Sequence, residues 1–477
     1  MSVPPEHSSR SPSHGDEDGL LLAYYGDDFT GSTDAMEAMA AAGVPTVLFL
    51  AEACAHPDRA RHRFAETLAR FPDARCVGLA GSSRARSPAW MDANLPAAFD
   101  ALAALGAPIL HYKVCSTFDS SPQIGSIGRA IDLGVRAMPA GTWSPTIVGA
   151  PRLQRFQLFG NLFAAVAGVG HRLDRHPTMS RHPVTPMHEA DLRRHLSHQT
   201  DRRIELIDML ALRAGTAADR LQALSADDIP IVMIDVLDDE TQRAAGRLVW
   251  ERRGAGVFSA SSSGLQYALS AHWRADGMLP SFYSLPHAEP VAAIAAVSGS
   301  CSPVTASQIA WARASGFVTE RLRLPQAIVA ERREQEIERV VTIAARAVSA
   351  GASPIVFSAE GPDDPSVTGF DAIAAAAGLA RDDAARAVGA ALAEVMRRLL
   401  ARVPLARIAV AGGDSSGEVA GVLGIDALTV AAELVPGAPL CRAWSADPAR
   451  DGLQIVLKGG QMGGPDFFGR VREGTRG

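Results

Sequence analysis

Short apolar runs alternate with Ala-rich stretches of helical spacing along nearly the whole chain. The runs fall at Leu20–Ala23, Thr46–Leu50, Cys76–Ala80, Ile109–Val114, Thr146–Val148 and Ile229–Val236, and again at Ala292–Val297, Pro354–Ser358, Ile408–Ala411 and Leu453–Leu457. Each has the length of a buried strand, and the alternation predicts an α/β fold of mainly parallel sheet flanked by helices. Ser259–Leu269 reads as a strand end turning into a helix. Glu331–Gly351 reads as an amphipathic helix closed by Gly351, with Glu334 and Glu338 on a solvated face. Leu173–Met187 carries Pro177, Pro183 and Pro186 and is expected to be irregular, with His176 and His182 as surface histidines rather than metal ligands.

At 477 residues the chain exceeds one ordinary core, which predicts more than one domain. A polar tail over residues 1–19 reads as disordered, and the SFYSLPHAEP stretch near Pro280–Pro290 divides the remainder into 20–284 and 285–477. A net charge of −6 without a basic patch argues against nucleic acid as a partner, and 6% aromatic residues leave no stacking platform for single strands. No apolar run approaches the roughly 20 residues of a membrane span, and the start of the chain has no signal-peptide core, so a cytoplasmic location is expected. The five cysteines (Cys54, Cys76, Cys115, Cys301, Cys441) lack metal-ligand spacing and are read as small hydrophobes, Cys301 included.

Four loops carry candidate chemistry. Residues 24 to 37, YYGDDFTGSTDAME, put Asp27 and Asp28 at a strand's end with Thr30, Gly31, Ser32 and Thr33 behind them, and the spacing turns helical from about Thr33. In an open α/β sheet ligands bind outside the carboxyl ends of strands, and carboxylates there suit a polyhydroxylated substrate. Alternatively, Asp28 or Thr30 only caps the helix. Three Gly/Ser loops leave strand-like runs in the second half: SGSCSPVTASQI (Ser298–Ile309), GGDSSGEVAG (Gly412–Gly421) and KGGQMGGPDFF (Lys458–Phe468). Glycine lets a backbone approach a phosphate closely while its N–H groups face the anion. None has the spacing of a P-loop or of a dinucleotide fingerprint, which argues against an α/β dehydrogenase.

Number and order of these motifs resemble the four-carbon acid sugar kinases, a family first described as a domain of unknown function. The likeness runs from Tyr24 to Phe468. It rests on Gly26-Asp27-Asp28-Phe29-Thr30-Gly31-Ser32, Ser83-Arg84, Lys113-Val114-Cys115-Ser116-Thr117, Ser298–Ser302, Gly412–Ser416 and Lys458–Phe468. The resemblance implies a sugar-acid domain followed by an ATP domain, with an inter-domain active-site cleft, ATP and Mg²⁺ as cofactors, and a small sugar acid as substrate. Nothing in the chain forbids a homo-oligomer.

Phosphoryl transfer asks a protein for positioning and charge neutralisation. Asp28 is the best candidate for the base, with Asp27 supporting the loop and Lys113 supplying charge; the sequence leaves open which of the two aspartates acts as base. Arg84 is the expected carboxylate anchor, its guanidinium offering a bidentate fork, alongside Ser83. Thr30, Ser116, Thr117 and Asp119 complete the acid site. Ser300, Ser302, Gly412, Gly413, Asp414, Ser415, Ser416, Gly460 and Gly463 are expected on the nucleotide, Asp414 also on Mg²⁺. Lys458 could add charge. After Lys-x-x-Ser-Thr the family commonly shows Leu-Arg-Gly-Asn, whereas this chain has Phe118-Asp119-Ser120-Ser121. An aspartate in place of an arginine favours a hydroxyl or hydrated carbonyl, and the variant resembles the branch acting on 3-oxo-isoapionate. Kinases of threonate, erythronate or 3-oxo-tetronate are the alternatives in that class, and a non-catalytic sugar-acid/nucleotide sensor is the alternative outside it.

Overall fold

A computed structural model describes residues 19–50, 64, 66–166, 168–182, 184–224 and 228–475, without the side chain of Asp414. Residues 1–18 of the expected tail (residues 1–19) and Cys54 lie outside the described residues. The first lobe runs β1 (Leu22–Gly26), β2 (Thr46–Leu50), β3 (Cys76–Ala80), β4 (Ile109–Lys113), β5 (Ser144–Thr146), β6 (Arg155–Leu158), β7 (Asn161–Val166), β8 (Val169–Arg172), β9 (Ile204–Ile207), β10 (Ile231–Ile234) and β11 (Val257–Ser261). The second adds β12 (Ala295–Ser298), β13 (Val318–Arg321), β14 (Pro354–Phe357), β15 (Arg407–Ala411), β16 (Ile425–Val435), β17 (Ala438–Ser445) and β18 (Gln454–Lys458).

Twelve of these strands form a single sheet, ordered β11-β4-β1-β3-β2-β16-β17-β18-β15-β12-β14-β13. The five strands β11 to β2 run parallel, as do β18 to β13. The antiparallel hairpin β16–β17 joins the two parallel arrays, β16 pairing with β2 through Ala427↔Phe49 and Leu428↔Leu48. The expected α/β lobes are there, fused edge to edge through a hairpin the apolar pattern did not signal. Two smaller sheets, parallel β5-β10-β9 and antiparallel β6-β7-β8, belong to the first lobe.

One apolar core runs through both lobes, holding Leu22, Tyr24 and Met36 together with Val297, Val410 and Leu457. The Gly351 stop is where expected: the helix spans Ala330–Ser349 and Gly351 adopts φ +77°. Glu334 and Glu338 do more than face solvent, since they pair with Arg398 and Arg402 of the helix Arg381–Arg402. The Pro-rich stretch contains two 3₁₀ turns, Leu173–Arg175 and Met179–Arg181, and His176 within it is buried rather than on the surface. Its Nδ1 accepts the Thr178 and Met179 N–H groups, so the ring organises the turn. Cys301, expected to pack, is exposed.

Candidate active site

The acid loop begins where β1 ends. Asp28 sits at the N-cap of the helix Phe29–Ala41, its Oδ1 accepting Gly31 N–H at 2.7 Å and its Oδ2 the Thr30 hydroxyl at 2.9 Å. Because β3 pairs with β1, the loop after β3 brings Arg84 beside it. Arg84 grips both carboxylates: Nε and Nη2 donate to Asp27 at 3.0 and 2.7 Å, Nη1 and Nη2 to Asp28 at 2.8 and 3.0 Å. Asp27 is 4% exposed, and burial pushes its carboxyl up to about 6 against the pull of Arg84. Lys113, at the end of the neighbouring β4, is also buried and lies 3.3 Å from the Asp34 carboxylate one helical turn into Phe29–Ala41. Three carboxylates and two cations thus share the carboxyl edge of the sheet.

The loop after β4 continues this site. Cys115 Sγ lies 3.0 Å from the Thr117 hydroxyl, which donates to Asp119 Oδ1 at 2.6 Å. Phe118 between them takes φ +55°, in the left-handed region where a bulky residue is an outlier, and this turn aims Asp119 inward. Burial alone would raise the Asp119 carboxyl, but the Arg84 charge and the Thr117 hydroxyl outweigh it and hold it below the usual range. Ser120 is tied to His195 Nε2 and Gln199 at 2.9 Å each, and burial pushes His195 down to about 4. Ser116 is half-buried in the same turn. Ser83 is fully buried with its hydroxyl 2.8 Å from Tyr112, so it supports the Arg84 turn from beneath.

In the second lobe the three Gly/Ser loops converge. Gly412 takes φ +120° between β15 and the helix Gly413–Val422, and Ser416 Oγ bonds back to its carbonyl at 2.7 Å. A side chain on Gly299 would collide with Ser415 Oγ at 2.2 Å. A side chain on Gly460 would lie 2.8 Å from Ser300 Oγ, so the loop after β18 lies directly on the loop after β12. Ser300 Oγ lies 3.0 Å from Thr305 Oγ1, and Ser302 caps the helix Pro303–Ala314. Gly463 takes φ +84° against Phe467. The side chain of Asp414 lies outside the described ones.

Thr305 and Gln308, not anticipated as site groups, lock this cradle beside Lys458, whose charge was expected there. Thr305 donates to Gly460 O, and Gln308 Nε2 donates to the carbonyls of Met462, Gly463 and Gly464 at 2.9, 3.1 and 3.1 Å. Lys458 is wholly buried, its Nζ donating to Thr305 Oγ1 at 3.1 Å and Gly459 O at 3.0 Å. Among the described residues no carboxylate pairs with it, and burial pushes the ammonium down to about 8. Thr305 and Gln308 follow the SGSCS loop at spacings that put them on one helix face, and that spacing was the available signal.

The two loop systems touch. A side-chain carbon on Gly413 would lie 3.9 Å from Thr30 Cγ2, and one on Gly417 would lie 3.5 Å from the Phe29 ring. The N-terminus of Phe29–Ala41, with its carboxylates, therefore faces the N-terminus of Gly413–Val422, with its glycines.

Residues 22–269 match the family model of a sugar-binding N-terminal domain and residues 295–468 that of a nucleotide-binding C-terminal domain. Over 456 residues the chain is 72% identical to the 3-oxo-isoapionate kinase of Paraburkholderia graminis, covering 96% of this chain and 95% of that protein. It is 31% identical over 458 residues to the 3-oxo-tetronate kinase of Methylobacterium radiotolerans, covering 95% and 98%. Its fold is similar to the crystal structure of a Salmonella typhimurium protein, with a TM-score of 0.75 at 23% identity over 95% of this chain and 99% of that one. By both domain matches and by identity along almost its full length, the chain belongs to the four-carbon acid sugar kinase family.

Proposed function

We propose that the protein is an ATP-dependent kinase that phosphorylates a hydroxyl of a small sugar acid, with 3-oxo-isoapionate as the substrate. The observation that carries this reading is the contact of Thr30 with Gly413, which sets a carboxylate-bearing loop against a glycine cradle. The 72% identity to a 3-oxo-isoapionate kinase supports the substrate. On this reading residues 20–284 hold the acid and 285–477 the nucleotide, and the enzyme works in the cytoplasm.

The second-lobe residues suit a triphosphate. Two helix N-termini open on one cradle, that of Gly413–Val422 without a side-chain cap, glycines leave room for an anion, and Lys458 is a buried cation awaiting a counter-charge. ATP would be held by Ser300, Ser302, Gly412, Gly413, Ser415, Ser416, Gly460 and Gly463, with Asp414 taking Mg²⁺. Bound ATP supplies the phosphoryl group, and the metal neutralises its charge.

Asp28 orients and deprotonates the attacking hydroxyl. Its four acceptor positions are filled by Gly31, Thr30 and two Arg84 donors. The Thr30 hydroxyl is the one neutral side-chain donor among them, so a substrate hydroxyl enters by taking its place on Oδ2. Arg84 fixes Asp28 in place through two hydrogen bonds, and Lys113 offsets the charge that gathers between the loops. Asp119, held ionised beside Thr117, accepts a hydroxyl of the acid.

The test is ADP release from ATP and Mg²⁺ over a panel of 3-oxo-isoapionate, 3-oxo-tetronate, threonate and erythronate. Turnover of 3-oxo-isoapionate well above the others is expected. A preference for 3-oxo-tetronate would move the protein to the other substrate, and silence on all four would remove the kinase reading.

A further inference from the structure

The acid of this proposed reaction brings a carboxylate, and Arg84 is poorly placed to receive it. Four of its five N–H groups are already donated to Asp27 and Asp28, leaving one Nη1 proton. A third carboxylate would meet a guanidinium whose charge two others already offset. Lys113 is committed to Asp34.

Arg155 is in the opposite condition. It opens β6, just past the 3₁₀ turn Pro151–Leu153 that leaves β5. Its Nη1 donates to the carbonyls of Leu153, Gln154 and Ala165 at 3.1, 3.3 and 3.3 Å, which fixes the plane of the guanidinium. Among the described residues no carboxylate pairs with it. Nε is buried and has no acceptor, and the guanidinium's hydrogen bonds to the described residues all leave through Nη1. Nε and Nη2 form the edge whose parallel N–H groups match the two oxygens of a carboxylate. A buried donor without an acceptor is costly, and a native fold keeps one where a ligand satisfies it.

Its position suits the acid site. β5 is strapped to β11 by Ser144 Oγ donating to Phe258 O and by Ile147 N–H, just past β5, donating to Ser261 Oγ, at 2.8 Å each, and β11 pairs with β4. The turn leaving β5 therefore lies at the same carboxyl edge as Lys113 and Cys115–Asp119. Cys115 lies within electrostatic range of both Arg84 and Arg155.

We propose that Arg155 anchors the carboxylate of the sugar acid through Nε and Nη2, while Arg84 serves only to hold Asp27 and Asp28. The assignment rests on the kinase reading and names the residue that makes it selective for acids.

The test compares the full-length protein with Arg155→Gln on 3-oxo-isoapionate and on its primary amide, which keeps the skeleton and loses the charge. KM for the acid is expected to rise about 10- to 100-fold, the range of a charge-assisted pair. KM for ATP should stay within about twofold and the preference for acid over amide should collapse, with guanidinium ion restoring part of it. An unchanged acid-to-amide ratio overturns the proposal, and equal losses on both compounds make Arg155 a structural residue. Calorimetric binding of the same two compounds is measured alongside. Failure of turnover by the wild-type protein would refute the kinase reading, yet the anchor would still be judged by whether acid binding depends on Arg155.

Discussion

Asp28 does two jobs through the same two oxygens, and substitution can separate them. As an N-cap it holds Gly31 N–H, and asparagine caps a helix as well as aspartate does. As a base it needs a charge that asparagine lacks. Asp28→Asn is therefore expected to lower kcat by about 10²- to 10⁴-fold with little change in urea midpoint, while Asp28→Ala loses the same activity and a further ~1 kcal/mol of stability. Full kcat in the asparagine variant would leave Asp28 as a cap alone. Lys458 gives a prediction in pH. Burial sets its ammonium near 8, and only the protonated form attracts phosphate. ATP affinity measured by calorimetry should be highest below pH 8 and fall on going to pH 9, and Lys458→Arg should flatten that fall because arginine stays charged. The sequence named Asp27, Asp28, Arg84 and Lys113 as one group, and the structure brings them together. That Asp27 and Asp28 take four of the five Arg84 N–H groups could not be read, because the fifty-odd residues between it and Asp28 are closed by the pairing of β1 with β3, which no local spacing reports.

The helix Phe29–Ala41 is the element that ties the two halves of the site. Its first turn carries the acid loop, and further along Glu37 accepts the Gly437 N–H at 2.8 Å from the turn between β16 and β17. Burial, then the Asp34 charge, raises the Glu37 carboxyl to about 8. A carboxyl raised on folding binds its proton more tightly in the native state than in the unfolded one, where it titrates near the ordinary 4.3. Stability should therefore fall as pH rises from about 4.3 to about 8, and level off above. Glu37→Gln keeps an acceptor for Gly437 and removes the titration. Urea midpoints should place the variant above the wild type at pH 9 and close to it at pH 5, and equal midpoints at pH 9 would show that Glu37 carries no such penalty. Elements with long apolar runs were legible, as β1, β3, β15 and β18 show. The hairpin β16–β17 was not, because its partly exposed strands alternate too weakly to stand out from the Ala-rich background. Nor was the link of Glu334 and Glu338 to Arg398 and Arg402, since an acidic helix face looks the same whether water or another helix covers it.

At the scale of the molecule, the hairpin solves a geometric problem. In a flat sheet the two parallel arrays would point opposite ways, because β16 is antiparallel to β2 and β17 to β18. From β1 to β15 there are six neighbour steps, and at roughly 20–25° of twist each the sheet rotates by about 120–150°, with the register shifts in β16–β17 adding more. That rotation largely undoes the reversal, so the carboxyl ends of β1 and β15 meet and Thr30 reaches Gly413. That the chain forms two α/β lobes was legible in its length and in two stretches of strand–helix alternation, but their fusion was not, because it depends on which edges pair. The fusion has a thermodynamic consequence. Chains of this length ordinarily unfold domain by domain, yet here one apolar core contains residues of both lobes, and Arg70 of the first lobe pairs with Asp451 of the second at 3.2 Å. Calorimetry is expected to give one endotherm rather than two. ATP at about 100 times its Kd, worth ~2.7 kcal/mol, should move that whole endotherm upward, because stabilising the glycine cradle then stabilises the acid lobe packed on it. Two endotherms with only one shifted by ATP would mean that the lobes unfold separately and that the shared core does not couple them.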